Sequence, residues 1–422
     1  MRHNRSPVIT RGLHLAVVGV SALGVSIALV ACSAAPTPGP GSSPEPTPTG
    51  TLRTLAVLAP LTGEDAENGR GVLQSVQTAV LQRREEFEAA QIRLEVLALD
   101  DRGQASVGQQ QATRLPDDPS VVAVIGSVGS LVNEGVQPIL NSAGLAMVAP
   151  GGGAPWLTRR GTPAERAYPS YFRLCAVDTD RGTAAAQRAF AQGDRRAVVV
   201  DDGTSAYAAT GRAFSAAFAS RGGAVSRIVV EPDASAAELS AAVAKVRKAK
   251  PQTLFLITDA DQVPIMTRAL VAVNLRPRLV TALPPEVPDI DASERREWTG
   301  VTTATVGASP ATLSGRPDVA PATPPPDGEV PPGPYGAAAF DAADLVVDAL
   351  LRILEDPSSE DLATEALRRE IVRSIDAASM TGATGQVSFD RFGDADSRPV
   401  GFLTFNGMEW IPQPAVVVGP GA

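Results

Sequence analysis

The feature that most limits the possible folds is an alternation of short apolar runs with longer amphipathic stretches, which begins at residue 52. The predicted strands of the first half lie at 52–58, 92–99, 121–125 and 145–148. The predicted helices between them lie at 69–88, 104–115 and 132–142. Strands that alternate with helices build parallel sheets covered by helices on both faces. The sequence therefore predicts an α/β fold.

The alternation restarts after Cys175, which indicates a second unit of similar layout. Its predicted helices lie at 183–192, 207–220, 236–248 and 263–272, and its predicted strands at 197–200, 225–230, 253–257 and 278–283. The remaining elements are strands at 301–306, 387–389 and 400–405, helices at 337–354 and 364–374, and a Pro-rich surface loop at 309–334. About 370 residues exceed what one core usually covers. We therefore expect two doubly wound parallel-sheet lobes.

The N-terminus is typical of an export signal. Arg2, Arg5 and Arg11 precede an almost wholly apolar run at 13–30, as in the charged and apolar regions of a signal peptide. The run ends in Leu-Val-Ala-Cys32, which resembles the lipobox of bacterial lipoproteins, where the cysteine is lipidated after cleavage. The alternative is a transmembrane helix, because about 18 apolar residues can span a bilayer. We expect an extracytoplasmic protein that is lipid-anchored to the cell membrane through Cys32.

The segment that follows Cys32 is made almost entirely of Pro, Ser, Thr, Gly and Ala. Such a composition cannot bury a core. A Pro-rich stretch of this kind is extended, at about 3 Å per residue. We interpret it as a tether for the folded body.

Two residue counts restrict the chemistry of the mature chain. Both histidines, His3 and His14, lie in the predicted signal peptide, and Cys175 is the only thiol after Cys32. His-activated nucleophiles and His-ligated metals are therefore excluded, and we expect no enzyme activity, metal or cofactor. Cys175 is either a reactive thiol or a small apolar residue. Loss of three signal-peptide arginines takes the formal net charge from −9 to −12, which argues against nucleic-acid binding.

Several short segments, in this order, resemble the type 1 periplasmic binding proteins, specifically the leucine/isoleucine/valine-binding receptors of branched-chain amino-acid ABC importers. The matching segments are Leu-Ala-Val-Leu-Ala-Pro-Leu-Thr-Gly at 55–63, Leu-Asp-Asp at 99–101, Val-Ala-Val-Ile-Gly at 122–126, Tyr-Phe-Arg at 171–173, and Ser-Phe-Asp at 388–390. The resemblance runs through nearly the whole mature chain. It implies two lobes that close on a ligand at the carboxyl ends of both sheets, and a hinge of three chain crossings.

We place the three crossings near Arg173, Val301 and Ser388. The predicted domains are a signal peptide at 1–31, a Pro-rich lipid-anchored linker at 32–51, an N-terminal lobe of 52–173 plus 302–387, and a C-terminal lobe of 174–301 plus 388–422.

The resemblance assigns part of the pocket to the loops after the third and fourth strands. Ser130 aligns with the serine that binds the ligand carboxylate in these receptors, and a helix N-terminus there favours an anion; the alternative is a plain N-cap residue. Backbone contacts are expected from Gly151 and Gly153. Gly153 stands where the receptors carry a Thr, so a hydroxyl contact is lost. Asn68 stands where they carry an aromatic cover for the aliphatic chain.

The second lobe supplies the other candidates. Tyr207 aligns with an aromatic residue near the cleft, or is a core or rim tyrosine. Asp259 and Glu286 follow predicted strands, so either could pair with a ligand ammonium, or both are solvated loop carboxylates.

Together these features predict a monomeric solute-binding lipoprotein that delivers an amino acid, branched-chain or similarly small and polar, to an ABC permease. A lipid-tethered ligand sensor without a transport role is the alternative. A hydrolase is the weakest possibility, because the sequence contains no Gly-x-Ser-x-Gly elbow and no Gly-x-x-x-x-Gly-Lys loop.

Overall fold

A computed structural model describes residues 50–161, 163–203, 205–231, 234–282, 290–313, 330–356 and 362–419. The predicted signal peptide, Cys32, Glu286 and most of the Pro-rich loop lie outside these ranges. Within them, no helix is both long enough and apolar enough to cross a membrane.

The first half of the chain follows the predicted alternation. Its strands are β1 (Thr51–Ala59), β2 (Ile92–Asp100), β3 (Val121–Gly126), β4 (Ala146–Ala149) and β5 (Tyr171–Arg173). Its helices are α1 (Ala66–Gln82), α2 (Arg84–Ala89), α3 (Ala105–Ala112) and α4 (Ser130–Ser142), with a short 3-10 turn at Pro155–Leu157. The helix predicted at 69–88 is thus two helices, which separate at Arg83, where φ is −100° and ψ is 10°.

The second half begins with a matching alternation. Its helices are α5 (Asp178–Ala191), α6 (Ser205–Ser220), α7 (Ala236–Ala249), α8 (Gln262–Ala272) and α9 (Arg295–Trp298), and its strands are β6 (Arg196–Asp201), β7 (Ala224–Val229), β8 (Thr253–Ile257), β9 (Arg278–Thr281) and β10 (Thr302–Thr305). A 3-10 turn at Pro310–Thr312 and helices α10 (Gly336–Leu354) and α11 (Thr364–Asp376) follow. The final strands are β11 (Met380–Gly382), β12 (Gly385–Val387), β13 (Arg398–Phe405) and β14 (Trp410–Val418).

The first sheet is parallel, in the order β2-β1-β3-β4-β5. Alternate residues of β1 face opposite sides. Leu55 and Val57 join the core formed with α1, α10 and α11, whereas Ala56 and Leu58 join the core formed with α3 and α4. A strand with both faces covered must be apolar at every position, which explains the continuous apolar run in the sequence.

The second sheet has the order β14-β13-β10-β9-β8-β6-β7. Its strands β7, β6, β8, β9 and β10 are parallel, and β13 and β14 are antiparallel. Helices α5 and α6 contribute to the core on one face, and α7 and α8 to the core on the other. The two parallel-sheet lobes confirm the predicted fold class.

Strand β10 differs from the sequence assignment. The predicted boundary gave residues 302–387 to the first lobe, but Thr302 pairs with Val280 of β9 in the second sheet. The chain therefore leaves the second sheet after Thr305, not at Val301. A short strand pattern identifies a strand but not the sheet that it joins.

Two further differences concern the C-terminal region. The strand predicted at 387–389 is the end of the β11–β12 hairpin, and β14 was not predicted. Pro412 and Pro414 interrupt its strand pattern. Proline is tolerated there because β14 is an edge strand, where a missing N–H breaks no ladder between two neighbours.

Candidate functional site

The hinge between the lobes is held by a buried ion pair. Arg173, at the end of β5, is fully buried and donates through Nε and Nη2 to Asp394 Oδ1 at 2.9 and 2.7 Å. Its Nη2 also donates to Thr158 Oγ1 at 2.8 Å. Burial alone would lower the pKa of Arg173, but the Asp394 carboxylate raises it above its ordinary value. The guanidinium therefore stays charged and joins the first crossing to the third.

Backbone hydrogen bonds connect the crossings as well. Ala395 N donates to Arg173 O at 2.8 Å, which joins the first and third crossings. Ala176 N donates to Val306 O at 2.9 Å, which joins the first to the segment after β10. The three chain crossings thus lie side by side at the carboxyl ends of the parallel strands.

The same arginine shapes the loop after β4. Its Nη1 donates to Gly152 O at 2.9 Å and to Ala154 O at 2.7 Å. From the other side, Asn133 Nδ2 donates to Gly151 O at 3.1 Å. These bonds turn three loop carbonyls toward buried donors, so the loop has a defined position at the carboxyl end of the first sheet.

Ser130 contacts this loop. It is the first residue of α4, while Gly129 occupies the N-cap position and no side chain caps the helix. The Ser130 hydroxyl accepts a hydrogen bond from Ala154 N at 3.2 Å, and a hydroxyl that accepts one bond can still donate its hydrogen. The N-cap interpretation of Ser130 is therefore wrong, and its hydroxyl lies between the helix N-terminus and the glycine loop.

Gly153 lies against the second lobe. A Cβ on Gly153 would be 2.6 Å from Asp178 Oδ1 and 2.7 Å from Val306 Cγ1. Asp178 N also donates to Gly153 O at 2.8 Å. A Cβ on Gly151 would be 2.5 Å from Val128 Cα. Neither glycine can carry a side chain without movement of its neighbours, and the space expected for a Thr is occupied by the Asp178 carboxylate.

Asp178 was not among the residues predicted from the sequence. It begins α5 directly after the first crossing, and its carboxylate accepts from Arg181 Nη2 at 2.9 Å. The Asp178 side chain is 26% exposed, whereas that of Arg181 is 7% exposed. Arg181 Nη1 also donates to Ala282 O, at the end of β9, at 3.0 Å. This ion pair places one partly exposed carboxylate beside Gly153.

Tyr335, immediately before α10, was also missed. It is 1% exposed, and its hydroxyl has no hydrogen-bond partner among the described atoms. Burial raises the pKa of Tyr335 well above its ordinary value; the charges of Asp65, Arg181 and Asp178 also act on it. These three residues lie at or near the first residues of α1 and α5, so the hydroxyl belongs to the same region as the glycine loop.

The remaining residues predicted from the sequence are Asn68, Asp259, Tyr207 and Glu286. Asn68 lies in α1, where its amide donates to Asp65 Oδ1 at 3.5 Å. Asp259 follows β8 and is exposed. Tyr207 lies in α6, but its side chain is outside the described part of the chain, as is Glu286. The structure brings Ser130, Gly151 and Gly153 together.

Cys175 is buried beside this region. It is 2% exposed, and burial raises the pKa of its thiol to about 12. A thiol that stays protonated is a poor nucleophile. The apolar interpretation of Cys175 therefore fits the structure, and the reactive one does not.

Several known proteins resemble this chain in sequence or in fold. A 152-residue stretch is 31% identical to a Leu/Ile/Val-binding protein, BraC3, of Rhizobium johnstonii; it covers 35% of this chain and only 39% of that protein. A substrate-binding protein of an ABC transporter from Desulfitobacterium hafniense, solved with Leu, superposes with a TM-score of 0.63 at 18% identity, over 86% of this chain and 100% of that chain. A solute-binding protein from R. palustris, solved with benzoate, superposes with a TM-score of 0.57 at 18% identity, over 88% and 98%.

At these levels of sequence identity, the solved structures show that this chain shares their fold. A family model described as periplasmic binding protein matches residues 54–398. That match spans well over half of the chain and both lobes. The chain therefore belongs to the periplasmic binding protein family, whose members are extracytoplasmic binding proteins and not enzymes.

Proposed function

We propose that this protein is a monomeric solute-binding lipoprotein that captures an amino acid or similar small polar ligand between its lobes and delivers it to the permease of an ABC importer. Membership of the periplasmic binding protein family supports the binding role. The similar structures were solved with leucine and with benzoate, which share a carboxylate. We infer that a carboxylate is also the common feature of the ligands of this chain.

The observation that carries the proposal is the position of Ser130. Its hydroxyl lies at the N-terminus of α4, whose first N–H groups and dipole favour an anion. The adjacent loop, with glycine at 151 and 153, packs closely against Val128 and Asp178, which fixes its position beside Ser130. A hydroxyl donor and the first N–H groups of the helix together form a suitable cradle for a carboxylate.

The second lobe offers the complementary charge. Asp178 presents a partly exposed carboxylate beside Gly153, and Asp259 lies at the end of β8. An ammonium group binds carboxylate oxygens. A ligand with both groups, such as an α-amino acid, would contact the first lobe through its carboxylate and the second through its ammonium, which favours lobe closure.

The carboxylate contact can be tested with Ser130→Ala. We expect the variant to bind the amino acid that the wild type binds best about 10- to 100-fold more weakly, because a charge-assisted hydrogen bond of about 1 to 3 kcal/mol is lost. Ser142→Ala is the matched control, since Ser142 ends the same helix, is exposed, and donates its hydroxyl hydrogen to Ile139 O at 2.8 Å. Equal affinity of the wild type and Ser130→Ala in calorimetry would remove Ser130 from the site.

The membrane anchor belongs to the same proposal. Cys32 follows a lipobox-like Leu-Val-Ala and precedes the Pro-rich segment. Lipidation of Cys32 would keep the receptor concentrated beside a membrane partner. Radiolabelled palmitate should enter the wild-type protein and not the Cys32→Ala variant; equal labelling of both would overturn the anchor.

A further inference from the structure

The second lobe has a basic edge at the amino ends of its parallel strands. We define the basic edge as six exposed residues: Arg196, Lys245, Arg247, Lys248, Lys250 and Arg276. They include all three lysines of a chain whose formal net charge is −9. Segments 192–196, 245–252 and 274–278, which form this edge, contain a single acidic residue, Asp194.

The topology brings these segments together. Strands β6, β8 and β9 are neighbours in a parallel sheet, so their starts lie at one edge. Arg196 Nε donates to Lys250 O at 3.1 Å. Gln252 Oε1 accepts from Arg196 N at 3.2 Å, and Gln252 O accepts from Arg278 N at 2.8 Å. The six cations therefore belong to one continuous surface.

The charges of the basic edge are not neutralised by neighbouring carboxylates. Asp194 is 1% exposed, and its carboxylate forms an ion pair with Arg278 at 2.9 Å and accepts a hydrogen bond from Thr253. Within the described ranges, none of the six residues has a carboxylate oxygen within 4.0 Å. The edge therefore presents uncompensated positive charge to the solvent.

Helix capping explains only part of this charge. Cations in the last turn of a helix interact favourably with its dipole, which accounts for Arg247 and Lys248 in α7. However, α6 and α8 end at the same edge and have no basic residue in their last turns. Arg196 and Arg276 lie outside helices altogether. The concentration of cations thus exceeds what the helix ends require.

The opposite edge of the same sheet is acidic. Glu231 follows β7, and Asp259 and Asp261 follow β8; all three are exposed, whereas Asp201 at the end of β6 is buried and paired with Arg227. The second lobe therefore carries positive charge at its strand starts and negative charge at its strand ends. A charge distribution of this kind orients a protein in an external field. A negatively charged surface would attract the basic edge and repel the edge that faces the cleft.

We propose that the basic edge binds the anionic phospholipid surface of a membrane. Each cation near such a surface strengthens binding by about five-fold, so six together give a substantial, salt-sensitive attraction. The three segments contain no aromatic residue, so they lack the stacking platforms with which proteins bind single-stranded nucleic acid. The interaction places the acidic, cleft-facing edge away from the lipid.

The test uses residues 51–422, because the described residues from 50 onward belong to one compact unit and the fragment lacks the predicted lipid anchor. The amount of this fragment that sediments with phosphatidylcholine vesicles is compared with the amount that sediments with vesicles containing about one third phosphatidylglycerol. The test variant is Lys245→Glu/Lys248→Glu/Lys250→Glu. The control, with the same change in net charge, is Arg114→Glu/Arg352→Glu/Arg369→Glu, at exposed positions of helices and loops packed on the first sheet.

We expect the wild-type fragment to bind only the vesicles that contain phosphatidylglycerol, and to lose this binding at high salt. The arginine control should bind them within about five-fold of the wild type, and the lysine variant at least about 100-fold more weakly. Thermal unfolding checks that both variants fold. No binding to anionic vesicles, or equal binding by the two variants, would overturn the proposal. Tighter binding to short duplex DNA than to vesicles at equal phosphate would also overturn it. Because ligand binding is measured separately, this result is independent of the proposed transport function.

Discussion

At the scale of residues, the most informative contact is that between Gly153 and Asp178. The resemblance to amino-acid receptors identifies position 153 as part of the pocket, and the glycine indicates the loss of a hydroxyl. Sequence alone could not place Asp178 there, because the contact joins residues 25 positions apart across the hinge. A carboxylate that occupies the space of a missing side chain is visible only in three dimensions.

This contact leads to a prediction of ligand selectivity. Asp178→Asn removes the negative charge but retains the shape of the side chain. If Asp178 receives the ligand ammonium, the variant should bind amino acids about 10-fold or more weakly, yet bind a matched carboxylate without an amino group as the wild type does. Calorimetry with leucine and with 4-methylpentanoate provides the comparison. A similar loss for both compounds would assign Asp178 a purely structural role.

At the scale of elements, the sequence predicts most helices and strands to within a few residues, because each has a clear apolar period. It misses the short elements β5, α9 and β11 and the edge strand β14, whose pattern is interrupted by two prolines. It also assigns β10 to the wrong lobe, because the sheet of β10 depends on pairing with residues far away in the chain. Apolar periodicity reports which face of an element is buried. It does not report the neighbour against which that face packs.

The hinge depends on an element-scale contact that can be broken. Arg173→Leu leaves Asp394 buried with its main partner removed and frees the loop carbonyls at 152 and 154. We expect the free energy of unfolding in urea to fall by about 3 to 5 kcal/mol. The double variant Arg173→Leu/Asp394→Leu should recover part of that loss, since no unpaired charge remains. A double variant less stable than the single one would contradict the assignment.

Helix α10 contains a carboxylate that should make stability depend on pH. Burial raises the pKa of Asp344 to about 7, although Arg83, 3.7 Å away, opposes the shift. An unfolded Asp has a pKa of about 3.9. Since the folded state holds the proton more tightly, this contribution is present below pH 4 and is lost as the pH rises from about 4 to about 7.

Asp344→Asn should therefore flatten this dependence. We expect the difference in unfolding free energy between pH 4.5 and pH 7.5 to change by on the order of 2 to 4 kcal/mol relative to the wild type. Urea denaturation at the two pH values measures it. Identical pH profiles for variant and wild type would show that Asp344 does not titrate in this range.

At the scale of the whole molecule, two α/β lobes meet at three hydrogen-bonded crossings, and the candidate site lies where the carboxyl ends of their strands face the hinge. The fold class was predictable from the sequence, because it rests on local patterns of apolar residues. The residues of the proposed first-lobe cradle came from the resemblance to amino-acid receptors. The charge of the basic edge was not predictable, since it depends on segments that only the parallel sheet brings together. The proposed ligand site and the proposed membrane-binding edge therefore lie on different surfaces.

The proposal that the cleft binds a small amino acid can be tested by calorimetric titration of residues 51–422 with a panel of amino acids and small carboxylates. We expect saturable heat with at least one amino acid, at one ligand per chain, and weaker binding by Ser130→Ala than by Ser142→Ala. No heat with any member of the panel, from a protein that unfolds cooperatively, would contradict it.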